Sequence, residues 1–127
     1  MKTTEGLEHK DLTDKIIGCA IEVHKKLGPG FLESIYENAF VIELHKQNLQ
    51  VEKQREVVIK YDSIEVGRHR LDLIVEGTIV VELKAVKQIE DIHFAIVRSY
   101  LKALGKEHGL LINFSRMVVE VKRVINK

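Results

Sequence analysis

The sequence predicts a mixed α/β domain, and three observations carry that prediction. Side-chain periodicity changes along the chain in the order α-α-β-β-β-α-β-β. Residues 71–86 hold two apolar, β-rich runs, 71–75 and 79–86, joined at Glu76, Gly77 and Thr78. A helical stretch over 90–106 bears apolar residues on so wide an arc that it calls for cover on two sides. The 127 residues suit one domain with a single core. Residues 1–10 are expected to form a flexible N-terminus and residues 11–127 the single domain.

Composition narrows the function classes. An apolar share of 45% with 31% charged residues is that of an ordinary globular chain. The formal charge of +1 supplies no global basic field, so contact with nucleic acid would depend on a local patch. A single cysteine, Cys19, excludes an intramolecular disulfide, and no Cys/His spacing suggests zinc. The polar N-terminus and the absence of a long apolar run point to a cytoplasmic chain without membrane contact.

The elements follow in order. Asp11 or Thr13 is expected to cap a first helix reaching about Leu27, with Ile16, Ile17, Ala20, Val23 and Leu27 as its buried stripe. Cys19 flanks that stripe as a small core residue. Gly28, Pro29 and Gly30 make a stiff corner. A second helix spans 31–47, with Leu32, Ile35, Ala39, Ile42 and Leu44 on its apolar side. Ser34 and Glu37 fit a capping box, and Glu33, Tyr36 and Glu37 emerge within one turn. Strands are expected over 51–61 and 64–72, turning at Asp62 and Ser63. On the third helix Ile92, Ala95, Ile96, Ser99 and Ala103 form one stripe; Phe94, Val97, Leu101 and Leu104 form a second. A short buried strand over 110–114 and an alternating segment over 117–125, a last strand or a strand passing into a short helix, complete the chain.

Three charges, Asp72, Glu82 and Lys84, interrupt the apolar runs of 71–86. Burying a charge in a sheet is expensive unless it is paired or binds an ion. Residues two apart on a strand share a face. That rule sets Leu71, Leu73 and Val75 on one face and Asp72 and Ile74 on the other; Val80, Glu82 and Lys84 likewise oppose Ile79, Val81, Leu83 and Ala85. The two apolar sets coincide only with a three-residue loop that pairs Val75 with Ile79 and Asp72 with Glu82, Gly77 supplying a left-handed turn residue. Two adjacent carboxylates repel, and a divalent cation such as Mg²⁺ removes the penalty while keeping several waters. A neighbouring lysine can serve a bound water or a phosphate. The plainer alternative, charges on a solvated edge strand, fits poorly with flanking runs so apolar. Arg68, His69 and Arg70 stand just before Asp72, either as phosphate contacts or, the commoner case, as solvated residues on an exposed strand.

These motifs match a family. Gly30, Glu33 and Tyr36 fit G-x-x-E-x-x-Y; Arg70, Asp72, the Glu82–Lys84 pair and Asn113 with Phe114 follow in the family's order. The chain resembles the GxxExxY proteins, a branch of the PD-(D/E)XK nuclease superfamily, over about residues 11–125. The resemblance implies a restriction-endonuclease-like core, a mixed β-sheet flanked by helices. It also implies Asp72, Glu82 and Glu33 as ligands of Mg²⁺ or Mn²⁺, with Lys84 and Glu33 catalytic. Arg70, Tyr36 and Tyr100 are the expected substrate contacts. One departure stands out: the family shows H-x-A-Q at the start of the third helix, and here Ile96 replaces the glutamine after His93 and Ala95.

Two functions follow. One is Mg²⁺-dependent phosphodiester hydrolysis on DNA, weakened or lost through Ile96. The other is a non-catalytic nucleic-acid-binding or dimeric assembly module on the same fold. The apolar third helix predicts a homodimer formed through Phe94, Val97, Leu101 or the last strand.

Overall fold

The computed structural model describes residues 9–126. Its elements keep the predicted order: α1 (Lys10–Leu27), α2 (Glu33–Lys46), β1 (Val51–Tyr61), β2 (Ile64–Val75), β3 (Ile79–Lys84), α3 (Asp91–Leu104), β4 (His108–Asn113) and β5 (Glu120–Ile125). The five strands form one sheet in chain order, β1-β2-β3-β4-β5. Only β3 and β4 run parallel; the other neighbours are antiparallel. A parallel step needs a crossover from one end of the sheet to the other, and α3 provides it. Residues 1–8 of the expected flexible N-terminus lie outside the described residues, whereas Lys10 already belongs to α1. Among the described residues no helix is long and apolar enough to cross a membrane.

The helices cover the sheet from both sides, which gives two cores. Under α1 and α2, Ile16, Ala20 and Phe40 meet Leu73, Val81, Leu83 and Ile112. Under α3, Val97 and Leu101 meet Val57, Leu71, Ile74, Val80 and Leu111. β4 is buried along its whole length, as a strand flanked on both faces should be.

Several expectations are corrected. α1 begins at Lys10 after His9 in a left-handed conformation and has no side-chain cap. The Thr13 hydroxyl instead donates to the carbonyls of His9 and Lys10. Cys19 is a core residue as expected; burial and the nearby Glu43 charge push its thiol up to about 11. α2 starts at Glu33 without a side-chain cap, so Ser34 and Glu37 form no capping box; the box sits at Glu90 and His93 before α3.

The buried stripe of α2 is Tyr36, Phe40 and Leu44, while Leu32 and Ile42 stay exposed. Apolar residues lie all round this helix, and the aromatics win because they bury the most area. Tyr36 stacks on Phe114 at 4.6 Å between ring centroids. Its hydroxyl donates to the Gly28 carbonyl (2.6 Å) and accepts from the Phe31 N–H (3.2 Å). It thus ties the corner in which Gly28 and Gly30 have φ of +72° and +108°. With 0% exposure Tyr36 is no substrate contact, contrary to expectation.

The second stripe of α3 is internal. Val97 and Leu101 are fully buried in the core and Phe94 packs against it, so these residues are not the dimer surface foreseen for them. Ile92, Ala95, Ser99 and Ala103 are the exposed ones. The last strand begins at Glu120 rather than Met117, and Met117 and Val118 are exposed.

Both hairpins turn as anticipated. Asp62 and Ser63, each at positive φ, join Tyr61 to Ile64, the two-residue turn whose twist suits paired strands. Val75 pairs with Ile79 across the loop expected there, and Glu76 joins Gly77 in the left-handed region.

Replacing Tyr36 with Phe keeps the stacked ring but orphans the Gly28 carbonyl and the Phe31 N–H. Urea unfolding of Tyr36→Phe should show a loss of about 1–3 kcal/mol with an unchanged m-value. A tyrosine that served only a substrate would give no loss.

Candidate metal and catalytic site

Regular pairing between β2 and β3 runs from Val75↔Ile79 to Leu73↔Val81 and stops one step short of Asp72 and Glu82. There the strands part. β3 stays tied to β4 as far as Lys84↔Asn113. On the other side, β1 and β2 pair at Lys53↔Leu73 and at Arg55↔Leu71, but Gln54, with φ of +53°, has no partner opposite Asp72. The side-chain alternation of β2 breaks at this kink. Leu73 and Val75 face α1 and α2, but Leu71 lies with Ile74 under α3. The strict parity expected for 71–75 therefore fails at Asp72, while Ile79, Val81 and Leu83 keep theirs.

The opened strands leave two backbone donors without carbonyl partners, and the two carboxylates take them. The Asp72 N–H donates to Glu82 Oε1 at 2.7 Å. The Leu83 N–H donates to Asp72 Oδ2 at 2.8 Å. Each acid thus holds the other acid's strand, and the second oxygen of each is left without a hydrogen bond among the described residues.

Burial makes this arrangement electrostatically costly. Glu82 is only 6% exposed. Burial first, and then the Asp72 charge, push its carboxyl up to about 8. Asp72 is pushed up to about 6, by burial first and then by the Glu37 and Glu33 charges. Lys84 and the two backbone N–H groups act in the opposite direction. Among the described residues Lys84 makes no ion pair, so its ammonium influences both acids without being committed to either.

The remaining expected residues divide. Glu33, at the start of α2, accepts the Ala85 N–H at 3.2 Å. Among the described residues no three His, Cys, Asp or Glu side chains gather closely enough to hold a metal, so Glu33 does not complete a ligand cage with Asp72 and Glu82 as anticipated. Tyr100 is 5% exposed, its hydroxyl 3.5 Å from His69 Nδ1. Burial, then the Glu82 and Asp72 charges, raise its phenol to about 12. Arg70 is exposed on β2 and makes no ion pair among the described residues. Ile96 is half-buried against the α3-side core.

Glu37 and Asn113 stand in the sequence motifs, but their roles here, and that of Gln54, do not follow from them. Glu37 accepts two hydrogen bonds from Gln54 Nε2, at 2.9 and 3.1 Å, and so braces the kinked residue opposite Asp72. Its spacing of four from Glu33 on one helix was the available signal; Gln54 offered none. Asn113 is fully buried. Its amide spans the Val86 backbone, accepting from the N–H (3.1 Å) and donating to the carbonyl (2.8 Å). The Phe114 N–H donates to the Lys84 carbonyl at 2.9 Å. A polar residue inside the apolar run 110–114 was its signal.

The donor set suits a hard divalent cation. Two carboxylates each present one free oxygen, with no His or Cys grouped with them among the described residues, and Mg²⁺ or Mn²⁺ takes such oxygens while retaining waters. The set fits a hydrated ion held by two protein oxygens rather than a closed protein cage.

A family model described as the PD-(D/E)XK nuclease superfamily matches residues 10–124. The crystal structure of SSO0001 superposes with a TM-score of 0.56 at 17% identity, over 73% of this chain and 49% of that protein. At that identity the likeness is one of fold, and the chain spans about half the length of that protein. No curated protein matches the sequence.

The raised carboxyls fix the sign of a pH effect. Both groups bind protons more tightly in the folded chain than in the unfolded chain. Folding therefore takes up protons between the ordinary carboxyl range near 4 and the folded values of about 6 and about 8. In chelator, this pair's contribution to stability should fall as pH rises from about 4 to 8. Glu82→Gln, which keeps an acceptor for the Asp72 N–H, should remove most of that decline. Melting temperatures of wild type and variant across this range test it; parallel curves would contradict it.

Proposed function

Because the chain belongs to the PD-(D/E)XK nuclease superfamily, we propose that the site at Asp72, Glu82 and Lys84 hydrolyses phosphodiester bonds in DNA with Mg²⁺ or Mn²⁺. The observation that carries this reading is the reciprocal pair of buried carboxylates, each with one oxygen to spare. Such a pair is a liability in a structural strand and an asset in a cation site. The order of Gly30, Glu33 and Tyr36 before Asp72, Glu82 and Lys84 further supports placement in the GxxExxY branch.

In this reading Asp72 and Glu82 would be the residues that hold the cation, while Asp72 Oδ2 and Glu82 Oε1 accept the Leu83 and Asp72 N–H groups. The chemistry such a cation would supply is polarisation of the scissile phosphate and a lowered pKa for a bound water. Lys84 is the catalytic lysine: its uncommitted ammonium orients the attacking water and offsets the charge that develops on the phosphate. Arg70, exposed two residues before Asp72, meets the DNA backbone. The Tyr100 hydroxyl, 3.5 Å from His69 Nδ1, donates to a phosphate oxygen. Glu33 acts from the Ala85 N–H, steadying the exit of β3 and adding negative charge to the site.

A second reading draws on Ile96. An apolar side chain packed into the α3-side core leaves that position without the hydrogen bonds a glutamine would make. A chain that keeps the cation site but has lost turnover would serve as a nucleic-acid-binding module.

Thermal melting with cleavage assays tests both readings. Mg²⁺ or Mn²⁺ should stabilise wild type, by about 2.7 kcal/mol when the ion is at a hundred times its Kd. Asp72→Asn should abolish the shift and any cleavage. Lys84→Ala should keep the shift and lower the cleavage rate about a hundredfold or more. Wild type without a metal-dependent shift would defeat the site; a shift without cleavage of any DNA would favour the binding module.

A further inference from the structure

β1 is an edge of the sheet: among the described residues no strand lies beyond it. From Arg55↔Leu71 to Ile59↔Gly67 it pairs with β2 without interruption. At the next step β1 advances by one residue and β2 by two, so the irregularity falls at Val66 of β2 and no residue of β1 between Arg55 and Tyr61 is left without a partner. Its alternation sets Arg55, Val57, Ile59 and Tyr61 toward α3, where Val57 and Ile59 join the core, and Glu56, Val58 and Lys60 toward the opposite face. The α3 side of this edge is open. A groove of about 850 Å³ runs between β1 and the second half of α3, with Val57, Ile59, Ser99 and Ala103 in its walls. An open strand edge carries a row of unpaired backbone donors and acceptors and is a template for another strand.

We propose that the outer edge of β1 pairs antiparallel with the same edge of a second copy of this chain, with Val58 on the two-fold axis. That register sets Glu56 opposite Lys60, Val57 opposite Ile59 and Arg55 opposite Tyr61, each pair occurring twice. Opposed charges and apolar pairs stabilise antiparallel neighbours, and like charges destabilise them. A shift of one residue in one direction places Arg55 against Lys60; the opposite shift places Lys60 against Val57 and Glu56 against Tyr61. Shifts of two residues lose the Glu56–Lys60 pairs. In the matched register the Val57–Ile59 pairs lie beside the grooves of both copies, with both α3 helices on the same side. Glu56 already accepts from Arg68 at 2.8 Å, and a carboxylate has capacity for a second cation; Lys60 makes no ion pair among the described residues. A segment whose sequence complements its own reversal is what an isologous interface requires and what a different partner would not need. This surface is distinct from the candidate nuclease site and stands whether or not that site cuts DNA.

Sedimentation equilibrium of the full chain provides the test. Wild type should be a dimer, and Glu56→Lys and Lys60→Glu should each weaken it about tenfold or more. The double variant should recover wild-type association. Val58→Cys should be joined into a covalent dimer by a short bis-thiol reagent, since opposed positions bring Cβ atoms within about 4.5–5.5 Å, just beyond direct disulfide geometry, and the native Cys19 is buried. A monomeric wild type, single reversals without effect, or a double variant as weak as the singles would overturn the proposal. If a reversal unfolds the chain, as circular dichroism would show, the Val58→Cys cross-link decides: formation supports the interface and its absence refutes it.

Discussion

The backbone N–H groups of Asp72 and Leu83 have carboxylate oxygens where a regular sheet would give them carbonyls. Much of the local structure depends on that exchange. Buried backbone donors must be paired, so β2 can leave β3 at this level only if something replaces the missing ladder bonds. Asp72 and Glu82 replace them, each reaching across to the other's strand. With β3 held by β4 as far as Lys84 and β2 free to bend, the kink passes outward to Gln54 of β1 and reverses the facing of Leu71. A uniform ladder through this region would have satisfied the same donors and left no carboxylate with a reason to be buried.

The environment of the pair is assembled from distant parts of the chain, with Phe114 at the junction. Tyr36 and Phe40 of α2 pack on its ring, at centroid distances of 4.6 and 6.4 Å. Its own N–H holds the carbonyl of Lys84. The contact that seats α2 is thus made by the residue that steadies the end of β3. Seating α2 in turn brings Glu33 to Ala85 and Glu37 to Gln54, one on each side of the opened strands. The three aromatic rings act on the site only through what they hold, which is why Tyr36 stands in the same motif as Glu33 while being wholly buried.

The sequence made much of this legible, for identifiable reasons. Element order followed from changes of period, and the Val75↔Ile79 register followed from matching two apolar faces across one loop. The convergence of Asp72 and Glu82 came from the same parity reasoning. That reasoning had the wrong facing for Leu71, because alternation holds only while a strand is regular and nothing in Gln54 announced a left-handed residue. The buried side of α2 was misread because Leu32, Ile35 and Ile42 match a helical stripe as well as Tyr36, Phe40 and Leu44 do; contact with Phe114, more than sixty residues away, decides between them. The resemblance implies Glu33 as a third ligand, whereas one of its oxygens accepts the Ala85 N–H and, among the described residues, no three such side chains gather closely enough to hold a metal.

The charge balance of the site links stability to the proposed activity. Asp72, Glu82, Glu33 and Glu37 all contribute negative charge to this part of the chain, and Lys84 is the cation that acts on the buried pair. A net charge of +1 over 127 residues offers no surplus to offset them. The folded chain therefore compensates by holding protons on Asp72 and Glu82 at pH values where isolated acids would be ionised. On the proposed reading a divalent cation takes the place of those protons. The same burial that destabilises the metal-free chain then strengthens attraction to the ion, since both effects come from removing water around the carboxylates. A more exposed pair would fold with less penalty and would hold the cation less firmly, so the cost in stability and the capacity to bind metal have one physical origin.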